Sequence, residues 1–305
     1  MKDKIGIIER QSISIGLVAN FVMALSGWFT FYLSGSEALL LDGNMSFILF
    51  LSSIVAFKIS KIKTIRSETF PFGLYVTEAL YSLMKGLLLL GVIISAITSN
   101  ANKVFQYLEG EPLNMIKTGP IAYYAIAMVS ICWGLSAMYR VQNRRIKMGS
   151  SMLKVDQKAS FIDGILSAST GAILVVIGYV QPGSQFDFLL YIGDALLVIL
   201  LAIAILGQPV GIIKEAFVEL AGGKLQDEAQ HQLIEDKVNR QLELQGISSE
   251  SLNIGKTGSS YLVIISLSLS KLSGSNSNAV MMMKESLKAE LTDEFTFVDV
   301  ELVLV

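Results

Sequence analysis

Charge is scarce in this sequence. Only 16% of its 305 residues are Asp, Glu, Lys or Arg, against 52% hydrophobic, whereas a soluble domain is about a quarter charged. That leaves too little polar surface for a water-soluble globule, and a mean hydropathy of +0.57 points to a bilayer. Histidine and cysteine are scarcer still, with one of each. A single cysteine cannot close an intrachain disulfide, and a single histidine excludes any site needing several imidazoles from one chain. Cys132 stands in an apolar run, where it reads as a packed small residue. The formal net charge of −2 supplies no basic field, so no nucleic-acid partner is expected. No nucleophile with a base, phosphate loop or metal-hydrolase spacing is found, so the chain is not expected to be an enzyme.

What the chain has instead is long apolar runs. A helix needs about 20 such residues to cross the hydrocarbon core, and six runs qualify, near 12–33, 36–57, 76–98, 119–139, 159–180 and 188–208. The first follows a charged stretch and has no small-residue cleavage site, so it reads as a retained helix. Lys2, Lys4 and Arg10 precede it; Lys58, Lys61, Lys63 and Arg66 follow the second; Arg140, Arg144, Arg145, Lys147 and Lys154 follow the fourth. The opposite loops hold only Lys103 and Lys117. Positive charge stays inside, so both termini are expected in the cytoplasm of a multi-pass protein of the cell (inner) membrane.

After Gly207 the composition changes, and from Lys214 onward charge returns. A six-helix membrane domain over 1–208 and a cytoplasmic domain over 209–305 are therefore expected. The second should hold an amphipathic helix over 227–244, strands at 250–256 and 260–270, a Ser/Asn-rich turn at 273–278, a helix over 279–291 and a strand at 296–305. Val263, Ile265, Leu267 and Leu269 share one strand face, as do Val298, Val300, Leu302 and Leu304. This order suggests a compact α+β domain with an antiparallel or mixed sheet, small enough for dimerisation to be a plausible way to bury more surface.

The residues most suited to chemistry form an internal echo. Asp42-Gly-Asn-Met-Ser46-Phe47-Ile48-Leu49 matches Asp156-Gln-Lys-Ala-Ser160-Phe161-Ile162-Asp163 at four of eight positions. At helical spacing 42, 45 and 49 share a face, and so do 156, 159 and 163. Facing helices could present Asp42, Asp156 and Asp163 to one cavity. Carboxylates inside a membrane are costly unless paired, hydrated or cation-bound, which makes them functional candidates. The competing account has Asp42 and Asp156 capping helix N-termini at the interface.

At this point the chain resembles the cation diffusion facilitator family. The resemblance lies in Ser34-Gly-Ser-Glu-Ala-Leu-Leu-Leu-Asp42-Gly43, Phe70-Pro-Phe-Gly73-Leu-Tyr-Val-Thr-Glu78, Leu153 to Gly164, and Asp194. It implies six membrane helices followed by a ferredoxin-like cytoplasmic domain, in a homodimeric exporter exchanging a divalent metal for protons. The family's four usual ligand positions fall on Met45, Leu49, Ala159 and Asp163, of which only Asp163 is an ordinary ligand. His231, the sole imidazole, reads as solvated.

The local donor supply is then mostly oxygen: Asp42, Asp156, Asp163, Ser46, Ser160 and Asn44, with the Met45 thioether beside them. Oxygen suits Mn²⁺, Mg²⁺ or Ca²⁺ better than it suits tetrahedral zinc. No permanently bound cofactor is expected, only a transported divalent cation (Mn, Fe, Zn or similar). Lys85, in mid-helix seven residues after Glu78, could neutralise Asp163 or another buried acid. Asn20 and Asp194 could line the cavity or serve interhelical hydrogen bonds. The expected function is divalent cation/proton antiport at a carboxylate-rich site between helices 2 and 5; the alternative is a non-transporting structural or regulatory homologue.

Overall fold

The computed structural model describes residues 2–71, 73–117, 121–147, 150–244, 249–268, 277–295 and 297–305. Helices α1 (Lys2–Ser34), α2 (Glu37–Ile62), α3 (Val76–Leu108), α4 (Ile121–Arg145), α5 (Ser151–Ile177), α6 (Leu189–Ile205) and α7 (Gly207–Leu220) come first. Then follow α8 (Glu228–Leu244), β1 (Ser249–Thr257), β2 (Ser260–Leu267), α9 (Ser277–Glu294) and β3 (Val298–Leu304). Among the described residues six helices are long and apolar enough to cross a membrane, α6 and α7 counting as one span, Leu189–Leu220. Described prolines stay out of helix interiors: Pro71, Pro112 and Pro182 lie between helices and Pro209 stands in the first turn of α7, where its missing N–H costs no hydrogen bond. Ile15, Val18, Leu25 and Phe29 of α1 point outward, an apolar surface suited to lipid.

The helices are longer than the apolar runs alone suggest, for local reasons. α1 reaches back through Glu9 because that carboxylate meets Lys63 Nζ at 2.6 Å inside the protein. α5 starts at Ser151 because the Ser150 side chain caps it, accepting the Leu153 N–H at 3.2 Å. The helical run continues past 208 to Leu220, with Ile212 and Ala216 buried despite Lys214 and Glu215 between them. Ile212 belongs to an apolar cluster with Leu89 and Ile93 of α3.

Helix α1 lies along α2, α4 lies along α5, and α3 packs on α6 and α7. Small residues set the first two contacts. A β-carbon on Gly27 would lie 2.6 Å from Gly43 Cα, and one on Gly171 would lie 2.2 Å from Ala125 Cβ. Backbones approach this closely in membranes because dispersion contacts replace a hydrophobic drive between helices.

The C-terminal sheet has the order β1-β2-β3. β1 and β2 are antiparallel and β2 and β3 parallel, so the sheet is mixed and α9 makes the crossover. Val263, Ile265 and Leu267 are fully buried against Ile234, Val238 and Leu242 of α8 and Met283, Leu287 and Leu291 of α9. On β3, Val298 and Val300 are buried but Leu304 is exposed. Leu269 and residues 273–276 of the expected turn lie outside the described residues.

The β1–β2 turn is pushed into the end of the helical bundle. Glu78 Oε2 accepts the Ser259 N–H at 2.6 Å, Glu219 Oε2 accepts the Gly258 N–H at 2.9 Å, and Ser151 Oγ donates to the Gly258 carbonyl at 2.7 Å. Gly258 has φ +58°, and a β-carbon there would come 2.4 Å from the Tyr75 carbonyl oxygen. Glycine alone fits both constraints.

Candidate functional site

Two carboxylates face each other across α2 and α5, joined by a crossed pair of hydrogen bonds. Ser167 Oγ of α5 donates to Asp42 Oδ1 at 2.7 Å, and Ser46 Oγ of α2 donates to Asp163 Oδ2 at 3.3 Å. Each serine stands one turn after the acid of its own helix and so reaches the acid of the other. Tyr124 of α4 donates to Asp42 Oδ2 at 3.2 Å. Asp163 is wholly buried, and its Oδ1 has no hydrogen-bond partner among the described residues.

The internal echo therefore has a different register from the one that Asp156 suggested. Asp42-Gly-Asn-Met-Ser46 and Asp163-Gly-Ile-Leu-Ser167 are the matching stretches. Their glycines do matching work: a β-carbon on Gly43 would lie 2.8 Å from Trp28 Cδ1 of α1, and one on Gly164 would lie 2.3 Å from Trp133 Cδ1 of α4. The α1–α2 and α4–α5 pairs thus repeat one device: a tryptophan packed on the glycine that follows a buried aspartate.

Cys132 of α4 is the neighbour that sequence reasoning missed. Its Sγ lies 3.5 Å from Asp163 Oδ2 and 3.6 Å from Met23 Sδ of α1. One S–H faces two acceptors, so it can serve only one at a time. Met23, Cys132 and Ser46 are all buried. Tyr124, Ser167 and Met23 carried no signal of their own; the repeated Asp-Gly-x-x-Ser could have singled out Ser167.

Asp156 does not share this site. Its Oδ1 is held by the Lys85 ammonium and by Tyr81 OH, the latter at 2.7 Å, and all three groups are buried. Lys85 thus neutralises Asp156. Nor do Asp42 or Asp156 cap helices, since α2 begins at Glu37 and α5 at Ser151. Among the described residues, neither Asp42 nor Asp163 forms an ion pair with a basic group. Met45, beside Ser46, packs with Leu49, Leu89, Ile93 and Ala159 in an apolar cluster, so three of the four family ligand positions are filled by packing.

The remaining charged candidates hold the framework. Asp194 Oδ1 meets Lys103 Nζ at 3.2 Å, while its Oδ2 accepts the Glu37 N–H at 2.9 Å, satisfying an orphan donor at the start of α2. Glu78 meets Lys63 Nζ at 2.9 Å, and Lys63 also meets Glu9. Burial pulls the Lys63 ammonium toward the neutral form, but the carboxylates of Glu78 and Glu9 outweigh it and raise its pKa above the ordinary lysine value. Burial pushes the nearby Tyr75 hydroxyl up to about 12. Asn20 Oδ1 is buried and unpartnered among the described residues. His231 stands part-exposed on α8, its Nδ1 3.6 Å from Glu235.

Among the described residues no three His, Cys, Asp or Glu side chains are grouped to hold a metal ion. Two of those types, Asp163 and Cys132, do meet, with a hydroxyl and a thioether beside them. No curated protein matches the chain. A family model described as the cation efflux transmembrane domain matches residues 13–221, which include every membrane-spanning helix except the start of α1. With most of its 305 residues inside that match, this multi-pass membrane protein belongs to the cation efflux family, the cation diffusion facilitators, which transport metal cations.

Proposed function

We propose that the protein exports a divalent metal cation from the cytoplasm in exchange for protons, with Asp163 as the central ligand and Asp42 beside it. The observation that carries this reading is the fully buried Oδ1 of Asp163, which has no hydrogen-bond partner among the described residues. An ionised carboxylate with no counter-charge costs several kcal/mol in a bilayer interior, so each acid holds either a proton or a cation. A cation entering must displace the proton, and a proton returning must displace the cation. Deprotonation of ligands on metal binding is the physical basis of the exchange.

The rest of the reading follows from charge and size. The C-terminal region docks at the bundle end that carries Lys63 and Arg66, which favours placing it and both termini in the cytoplasm, at the cell (inner) membrane. The small sheet favours a homodimer. A second reading, that of a non-transporting structural partner, is favoured by Met45, Leu49 and Ala159 being packed in an apolar cluster.

Reconstitution of the full chain in liposomes with a trapped pH indicator separates the two. A panel of divalent metals should drive proton movement in the wild type and none in Asp163→Asn. Absence of metal-driven proton flux in the wild type overturns export and leaves the partner reading.

A further inference from the structure

We propose that the cargo is a borderline-to-soft transition cation held partly by sulfur, with Cys132 and Met23 as the residues that set its selectivity. This rests on the reading of Asp163 as the cargo carboxylate. Three successive donor pairs are the observation: Met23 Sδ to Cys132 Sγ at 3.6 Å, Cys132 Sγ to Asp163 Oδ2 at 3.5 Å, and Asp163 Oδ2 to Ser46 Oγ at 3.3 Å. These four donors come from α1, α4, α5 and α2, so the four helices converge on them.

Coordination geometry gives those spacings a meaning. With metal–oxygen bonds of about 2.1 Å and metal–sulfur bonds of about 2.3 Å, a tetrahedral ion separates two sulfurs by roughly 3.8 Å, sulfur from oxygen by roughly 3.6 Å and two oxygens by roughly 3.4 Å. The three distances fall in the same order, each within a few tenths of an ångström of its edge. Along this run, each donor already stands about as far from the next as neighbouring ligands of one small ion do. Asp163 Oδ1, buried and without a partner among the described residues, is the independent sign that something else belongs at this carboxylate.

Donor softness weighs against the hard alternatives. Mg²⁺ and Ca²⁺ take oxygen ligands, whereas the donors beside Asp163 Oδ2 include a thiol that itself meets a thioether. Thiolate and thioether select softer, later metals. Binding breaks the S–H bond of Cys132; its electron pair stays on sulfur and forms the sulfur–metal bond, and the proton leaves as H⁺, joining those exchanged.

The single cysteine makes the test unambiguous. The full chain in detergent, free of any affinity tag, is titrated with Cd²⁺ and Co²⁺ while the thiolate-to-metal charge-transfer absorbance is recorded. Any such band must arise from Cys132. A saturating band with one metal per chain is expected, absent in Cys132→Ser. The ratio of Cd²⁺ to Mn²⁺ affinity should fall at least ~10-fold in Cys132→Ser, and in the same direction in Met23→Leu, a near-isosteric change that serves if the serine variant misfolds. A wild-type protein that binds Mn²⁺ through Asp163 with no band overturns sulfur ligation and leaves the cargo site standing. Binding of neither Cd²⁺, Co²⁺ nor Mn²⁺ overturns both.

Discussion

Lys85 of α3 and Asp156 of α5 are each other's counter-ion, buried together in the membrane-spanning bundle with Tyr81 donating to the same carboxylate oxygen. This pair ties α3 to α5 and removes Asp156 from the supply of free acids. Truncating one partner strands a buried charge, which costs about 3–5 kcal/mol, whereas removing both costs far less. Lys85→Ala should therefore lower thermal stability sharply, and Lys85→Ala with Asp156→Ala should recover most of the loss. Additive losses in a double-mutant cycle of melting temperatures would show that the two charges do not depend on each other.

Ser167 should orient the Asp42 carboxylate without binding cargo itself. Ser167→Ala removes a 2.7 Å hydrogen bond from Asp42, and loss of a group that orients a ligand typically weakens metal binding about 10–100-fold. Calorimetry on Ser167→Ala should give that range, while Asp163→Asn abolishes binding. An unchanged affinity in Ser167→Ala would remove Asp42 from the site.

Gly164 sets how closely α4 meets α5. A β-carbon there would lie 2.4 Å from Trp133 Nε1, so the ring must move. Overpacking of this kind costs about 1–3 kcal/mol. Gly164→Ala should melt earlier than the wild type, and Gly164→Ala with Trp133→Phe should regain part of the difference.

The Lys63 cluster gives a pH dependence with a definite sign. Its folded-state pKa lies above the ordinary value, about 10.4, so its contribution is complete below that pH and is lost as the pH climbs through the higher folded value. The wild type should exceed Lys63→Gln in melting temperature on the alkaline side of neutrality up to about pH 10, and the margin should close above it. A margin that closes near pH 7 would rule out this ion pair as its source.

Much of the fold was legible before the structure. Apolar run length alone marks the six spans, and alternation alone marks Val263, Ile265 and Leu267 as the buried face of β2. Helix ends were less visible, because they depend on distant partners: Glu9 is tolerable in α1 only through Lys63, and Ile212 continues the last span only by joining α3 residues in one cluster. Of the site, Asp42 and Asp163 could be read from intramembrane charge. Cys132 could not, since an apolar run makes a ligand and a packing residue look alike. Asp156 was misleading for a related reason: its echo of Asp42 is a matter of spelling, whereas the structural counterpart of Asp42 is Asp163, followed like it by glycine and, one turn on, by serine.

The turn at Gly258 and Ser259 has a mechanical consequence. It is fastened at once to Glu78 of α3, Ser151 of α5 and Glu219 of α7, and a two-residue turn has almost no slack. Should α3 and α5 part at this end, at least one fastening must let go or the strands must travel with a helix. The C-terminal sheet is thereby geared to the spacing of α3 and α5, the two helices that Lys85 and Asp156 join inside the bundle.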